Sequence, residues 1–179
     1  MQTMAGIRVL EIAEHTFVPA AGAILAEWGA DVIKVEHAER GDAMRGLGRT
    51  GVLDLSKGVH VLLEHSNRGK RSIGIDLTKP EGLELAYALA RTADVFLTNK
   101  LPGVLERLKI DEAHIRQQKA DIIYVRGTAF GPNGPDRDKG GYDATAFWSR
   151  GGSADSATLP GNDIVPQPGP AYGDSIGAM

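Results

Sequence analysis

The sequence holds 179 residues, 42% of them hydrophobic, with a formal net charge of -3 and a pI near 5.9. That length suits one domain with a substantial core, and basic residues that neither dominate nor cluster argue against a nucleic-acid partner. The absence of cysteine removes disulfides, thiol nucleophiles and thiolate metal sites together. No stretch approaches the roughly 20 apolar residues of a membrane span and no leader pattern opens the chain, so a cytoplasmic protein without membrane contact is expected.

Ile7 to Glu36 reads as strand, helix, strand. Ile7-Arg8-Val9-Leu10-Glu11-Ile12 is β-branched and apolar, whereas Ala20, Ala23, Ile24 and Trp28 recur at helical spacing behind Pro19, which suits a first helical turn. Gly29 ends that helix and Asp31-Val32-Ile33-Lys34-Val35-Glu36 returns as a parallel neighbour. The turn between strand and helix, Glu14-His15-Thr16-Phe17-Val18-Pro19, has no glycine before Gly22. It therefore lacks the G-x-G-x-x-G that lets a backbone close on a pyrophosphate, which argues against NAD or FAD.

Ala38 to His65 shows no clean periodicity and is expected to be a long excursion, with His60 and His65 as exposed loop residues. Asn67-Arg68-Gly69-Lys70-Arg71 is either a solvated basic turn or a phosphate grip before a strand at Ser72 to Leu77. Thr78-Lys79-Pro80-Glu81 has the pattern of a capping box, and Leu83, Ala86, Tyr87 and Ala90 continue the helix. Asp94 to Thr98 reads as the next strand, followed by a short helix from Val104, another from about Asp111 to Gln118, and a strand at Asp121 to Arg126. This alternation predicts an α/β fold, a Rossmann-like parallel sheet with helices on both faces, and puts Asn99 to Gly103 at the ligand-binding edge of the sheet. Beyond Gly127 come turns, two possible helical turns at Tyr142 to Ser149, a loop from Gly151 to Gly169 and the start of a helix near the last residue.

Chemistry narrows by elimination. The histidines at 15, 37, 60, 65 and 114 have no metal-ligand spacing, and G-x-S-x-G is absent. Asp174, between Gly173 and Ser175, is either a helix cap or a nucleophile whose carboxylate is kept ionised by backbone N–H groups.

Six stretches resemble the family III CoA-transferases, the group that includes formyl-CoA transferase and the carnitine and bile-acid CoA-transferases. They are Gly6 to Leu10, Trp28 to Glu36, Asn67 to Ile73, Asn99 with Pro102 to Leu108, Gly141-Tyr142-Asp143, and Gly173-Asp174. The resemblance implies a Rossmann-like large domain, of which residues 1–179 are the CoA-binding portion. It also implies a small domain and a carboxyl-terminal return lying outside this chain, and an interlocked homodimer.

It implies further that Asp174 is the nucleophile and that CoA moves from an acyl-CoA to a carboxylic acid through aspartyl intermediates. CoA is then a substrate, and no metal or redox cofactor is needed. The positions implied to contact CoA are Thr16 and Phe17, His37, Ile75, Asp76, Leu77 and Thr78, Asn99, Lys100 and Leu101, Arg107, and Gly140, Gly141, Tyr142 and Asp143. The related 2-methylacyl-CoA racemases carry Gly-His-Asp where this chain has Gly141-Tyr142-Asp143. Tyrosine, with an ordinary pKa near 10, is a poor proton shuttle at neutral pH, so transfer is favoured over racemisation. A non-catalytic CoA-binding fragment is the remaining alternative.

Overall fold

A computed structural model describes residues 2–50, 58–166 and 168–179. Five parallel strands form its centre: β1 (Arg8–Ile12), β2 (Asp31–Glu36), β3 (Arg71–Gly74), β4 (Val95–Thr98) and β5 (Ile123–Arg126). Their order is β3-β2-β1-β4-β5, so the direction of winding reverses between β1 and β4. At such a reversal the connections leave toward opposite sides and a crevice opens beyond the strand ends.

Alternation along the strands sends side chains to two cores. Leu10, Ile12 and Phe96 pack with Tyr87, Leu105, Ile110 and Ile115, which belong to or adjoin α3 (Pro80–Ala90), α4 (Pro102–Arg107) and α5 (Glu112–Gln118). Val9, Ala13, Val32, Val95 and Leu97 pack on the other face with Val18 of α1 (Phe17–Glu27). The central strands are therefore covered on both faces, as the sequence predicts, whereas the edge strand β3 is exposed along its length and the other edge, β5, is covered on one side. There Ile123 and Val125 are exposed on one side, while Tyr124 stacks on Phe96 on the other with ring centroids 5.1 Å apart.

Several local expectations are corrected. Within the stretch read as an excursion, Ala43–Thr50 is a 3₁₀ helix and Val61–Asn67 is α2, while residues 51–57 lie outside the described residues. His60 is no free loop residue. It caps α2 by accepting the Leu63 N–H, and its Nε2 lies 2.9 Å from the Met44 carbonyl; His65 belongs to the helix itself. Thr78 forms no capping box, because its hydroxyl and its N–H both turn to Asp76 Oδ1, and Lys79 stands at the N-cap of α3 without a side-chain bond. Trp28, which the helical spacing groups with Ala20, Ala23 and Ile24, is the exposed C-cap of α1. The loop after Gly151 contains one short helix, α6 (Ser153–Ala157), and α7 (Tyr172–Gly177) closes the chain, packing against α1. No helix among the described residues is long and apolar enough to cross a membrane.

Candidate active site

The crevice at the winding reversal holds a cleft of about 990 Å³. Its lining comes from three strand ends and two carboxyl-terminal helices. Glu14, His15 and Phe17 follow β1, Asn99 to Pro102 follow β4, and Arg126 to Phe130 end and follow β5. Gly140 to Asp143, the π-helical segment Ala144–Arg150, and Gly173 and Asp174 of α7 close it from the other side.

Asp174 lies in the first turn of α7, half-buried in the cleft wall. The N-cap is Ala171, so the cap reading of Asp174 does not hold. Nor does the expectation of a carboxylate held ionised by backbone N–H groups. Burial, and then the negative charge of Asp143, push its pKa from the ordinary 3.8 up to about 6. Asp143 is itself spoken for, as its Oδ1 accepts the Gly173 N–H at 2.9 Å. A Cβ on residue 173 would lie 2.3 Å from the Phe147 ring and 2.4 Å from Asp143 Oδ1, so only glycine lets α7 approach the π-helical segment this closely. Aromatic edges complete the joint, with Tyr172 packed against Phe147 and Trp148 at centroid distances of 6.3 and 6.2 Å. The wide turn itself is visible in the bond from Gly151 N–H to the Ala146 carbonyl, five residues back.

The opposite wall is held by polar clamps. Asn99 grips the backbone of Glu14 twice, Oδ1 accepting its N–H and Nδ2 donating to its carbonyl, while Lys100 Nζ sits 2.7 Å from Glu14 Oε2. His15 takes φ +66, a left-handed conformation that costs a side-chain-bearing residue about 1–2 kcal/mol. Asp42 Oδ1 accepts its N–H at 3.0 Å, and its ring stands edge-on to Tyr142 at 5.5 Å. Around the rim, Asp136 pairs with Lys139 at 2.7 Å and Arg150 at 3.0 Å, and Arg150 lies over the Phe130 ring.

Of the residues singled out in the sequence, the cleft gathers Phe17, Asn99, Lys100, Leu101, Gly140, Gly141, Tyr142, Asp143 and Asp174. Others stand apart from its lining. Thr16 is buried at the head of α1, Ile75 is in the core, Leu77 packs against that core, and Arg107 is exposed in the last turn of α4. His37, whose Nδ1 accepts the Glu39 and Arg40 N–H groups, follows β2, and Asp76 and Thr78 bond to each other after β3.

The basic run at 68–71 is no phosphate grip. Arg68 is bound by Glu27, Arg71 by Asp31, and Lys70 by the buried Glu11. Sequence reasoning also passed over Glu14, His15 and Asp42, for which the only signal was the position of the β1 turn at a sheet edge. No group of acidic residues and histidines that could hold a metal occurs among the described residues.

This is the crevice of an open α/β sheet, carrying a half-buried carboxyl within reach of solvent. The chain belongs to CoA-transferase family III, whose pattern it matches over residues 4–179. It is 42% identical over 143 residues to the succinate–glutarate CoA-transferase of Agrobacterium fabrum, covering 78% of this chain and 36% of that protein. It is 33% identical over 151 residues to the (R)-2-hydroxy-4-methylpentanoate CoA-transferase of Clostridioides difficile, covering 84% and 38%.

Among solved structures, a CAIB/BAIF family protein from Brucella suis superposes with a TM-score of 0.81 at 34% identity, over 96% of this chain and 44% of that one. The orthorhombic form of Rv3272 from Mycobacterium tuberculosis gives 0.79 at 31% identity, over 97% and 45%. The chain thus spans less than half the length of these relatives.

Proposed function

We propose that the protein transfers CoA from an acyl-CoA thioester to a carboxylic acid, with Asp174 as nucleophile. Residues 1–179 are then the CoA-binding part of a large domain that works in an interlocked homodimer. The observation that carries this reading is the half-buried Asp174 carboxyl in the crevice at the β1/β4 reversal, beside Asn99 to Leu101 and Gly140 to Asp143.

A carboxylate oxygen of Asp174 attacks the thioester carbonyl carbon, the C–S bond breaks, and CoA leaves as thiolate with an acyl-aspartyl anhydride left behind. The thiolate attacks the aspartyl carbonyl carbon, the anhydride C–O bond breaks, and the donor acid departs from an aspartyl-CoA thioester. The acceptor carboxylate repeats the sequence in reverse, forming a new anhydride that the thiolate opens at the acyl carbon, which restores Asp174. Each step exchanges one activated acyl group for another. Partial burial favours this chemistry, because an ionised carboxylate stripped of water is the stronger nucleophile.

Incubating the full-length protein with a mixture of acyl-CoA thioesters and then hydroxylamine tests this. The expected result is a hydroxamate on the peptide containing Asp174, detected by mass spectrometry. No adduct with any thioester would remove Asp174 as nucleophile.

One observation favours a second reading, 2-methylacyl-CoA racemisation: His15 brings an imidazole edge-on to Tyr142, into the neighbourhood where the racemases carry histidine. Exchange of the C2 proton of a 2-methylacyl-CoA for solvent deuterium, without acyl transfer, would select it. CoA binding with neither reaction would leave a binding protein.

A further inference from the structure

Beneath the β1 turn lies a group of four charges that the proposed chemistry does not use. Glu11 is 0% and Lys34 1% exposed, and Asp42 and Lys70 are buried beside them. Lys34 Nζ lies 2.7 Å from Asp42 Oδ2 and 3.2 Å from Glu11 Oε1, and donates to the Ala13 carbonyl at 3.1 Å. Lys70 Nζ reaches both Glu11 oxygens, at 2.9 and 2.7 Å, and the Pro19 carbonyl at 2.7 Å. Asp42 Oδ1 also accepts the Met44 N–H at 2.8 Å and Lys70 Nζ lies 3.4 Å from Asn67 Oδ1, but three outgoing bonds of the group end on the backbone around one turn. Lys34 takes Ala13, Asp42 takes the His15 N–H, and Lys70 takes Pro19 in the first turn of α1.

Two carboxylates and two ammonium groups out of water are costly to assemble and need a reason beyond stability, for which an apolar cluster would serve as well. The residue they surround supplies it. His15 is a non-glycine residue in left-handed backbone, its amide is fixed by Asp42, and its side chain lines the cleft.

We propose that His15 is a substrate-contacting residue for the acyl-CoA, and that Asp42, oriented by Lys34 and through it by Glu11 and Lys70, is its positioning residue. This rests on the cleft being the acyl-CoA site. Asp42 never touches substrate. It acts by holding the His15 backbone where the imidazole meets the cleft opposite Tyr142.

A double-mutant cycle on the full-length protein tests the linkage. Asp42→Ala is expected to lower kcat/KM for the acyl-CoA donor about 30–100-fold, and Asp42→Asn, which keeps an acceptor oxygen but loses the Lys34 partnership, about 3–10-fold. In a His15→Ala background each should cost less than about twofold, because the residue they position is gone. Their effect on the melting midpoint should be the same in both backgrounds, since the buried charges are disturbed equally.

Equal factors on kcat/KM with and without His15 would overturn the proposal, and should Asp42→Ala fail to fold, the Asp42→Asn cycle decides alone. If the wild-type protein forms no Asp174 adduct, the transferase reading fails separately. The same cycle is then read on the dissociation constant of CoA, where coupling upholds the positioning role and additivity ends it.

Discussion

The Asp143 carboxylate accepts the Gly173 N–H at 2.9 Å, so the residue that raises the pKa of Asp174 by its charge also anchors the backbone immediately before it. Those two effects are separable. In the wild-type protein, kcat/KM should rise with pH through about 6 and level off above it, because a protonated Asp174 carboxyl is a far weaker nucleophile than the carboxylate. Asp143→Asn keeps an acceptor for Gly173 and removes the charge. Its pH–rate profile should shift to lower pH, yet stay above the ordinary 3.8 because burial, the larger cause, persists. An unmoved midpoint would refute the assignment.

Asp174 should also destabilise the fold at neutral pH. Its carboxyl is easier to ionise in the unfolded chain, at about 3.8, than in the folded one, at about 6, so stability is full below 3.8 and is lost as pH rises through 6. The whole shift corresponds to at most about 3 kcal/mol, and partial exposure reduces that to about 1–2 kcal/mol. Asp174→Asn should therefore melt higher than wild type by about 3–6 °C at pH 7.5 and at nearly the same temperature at pH 3.5. Thermal denaturation at the two pH values reads this directly.

Glu36 runs the other way. Arg45 binds it through both oxygens at 2.8 and 2.9 Å, the Asp42 N–H and Ser72 hydroxyl add to that, and its pKa falls from 4.5 to about 2. Its contribution is present above 4.5 and disappears as pH falls toward 2. With Arg45 half-exposed, Glu36→Gln should cost about 1–2 kcal/mol at pH 7 by urea denaturation. The gap should close in acid, and a pH-independent cost would show that shape and not charge is at work.

Gly22 is where α1 crosses the buried charges. A Cβ there would sit 1.9 Å from Glu11 Oε2, and the fully buried Glu11 has nowhere to go without leaving Lys34 and Lys70. Gly22→Ala should cost at least about 2 kcal/mol in urea unfolding, although alanine is the better helix former. A stabilised variant would mean that the packing is looser than these distances imply.

What the sequence disclosed depended on how locally each feature is encoded. The β1, α1 and β2 run, α3, α5 and the strand at β4 each carry their own period and flanking residues, and they form where the pattern puts them. Helix α2 was hidden because its cap is the imidazole of His60, and not one of the usual short polar residues. The run from Arg68 to Arg71 invited a phosphate because its partners Glu27, Glu11 and Asp31 stand 41, 59 and 40 residues away. In the cleft, Asp174 and the segments 99–101 and 140–143 were legible by resemblance to a family. His15 and Asp42, 27 residues apart, carry no motif, and only folding sets one against the other.

The buried quartet under the β1 turn sums to zero charge, two acids against two lysines, whereas the ion pairs of Asp136 with Lys139 and Arg150 stand at the water's edge. Dissolved ions reach the second group and not the first. Ionic strength thus acts on this cleft selectively: concentrated salt loosens the ion pairs of the rim, while the buried pairs beneath the β1 turn keep their geometry.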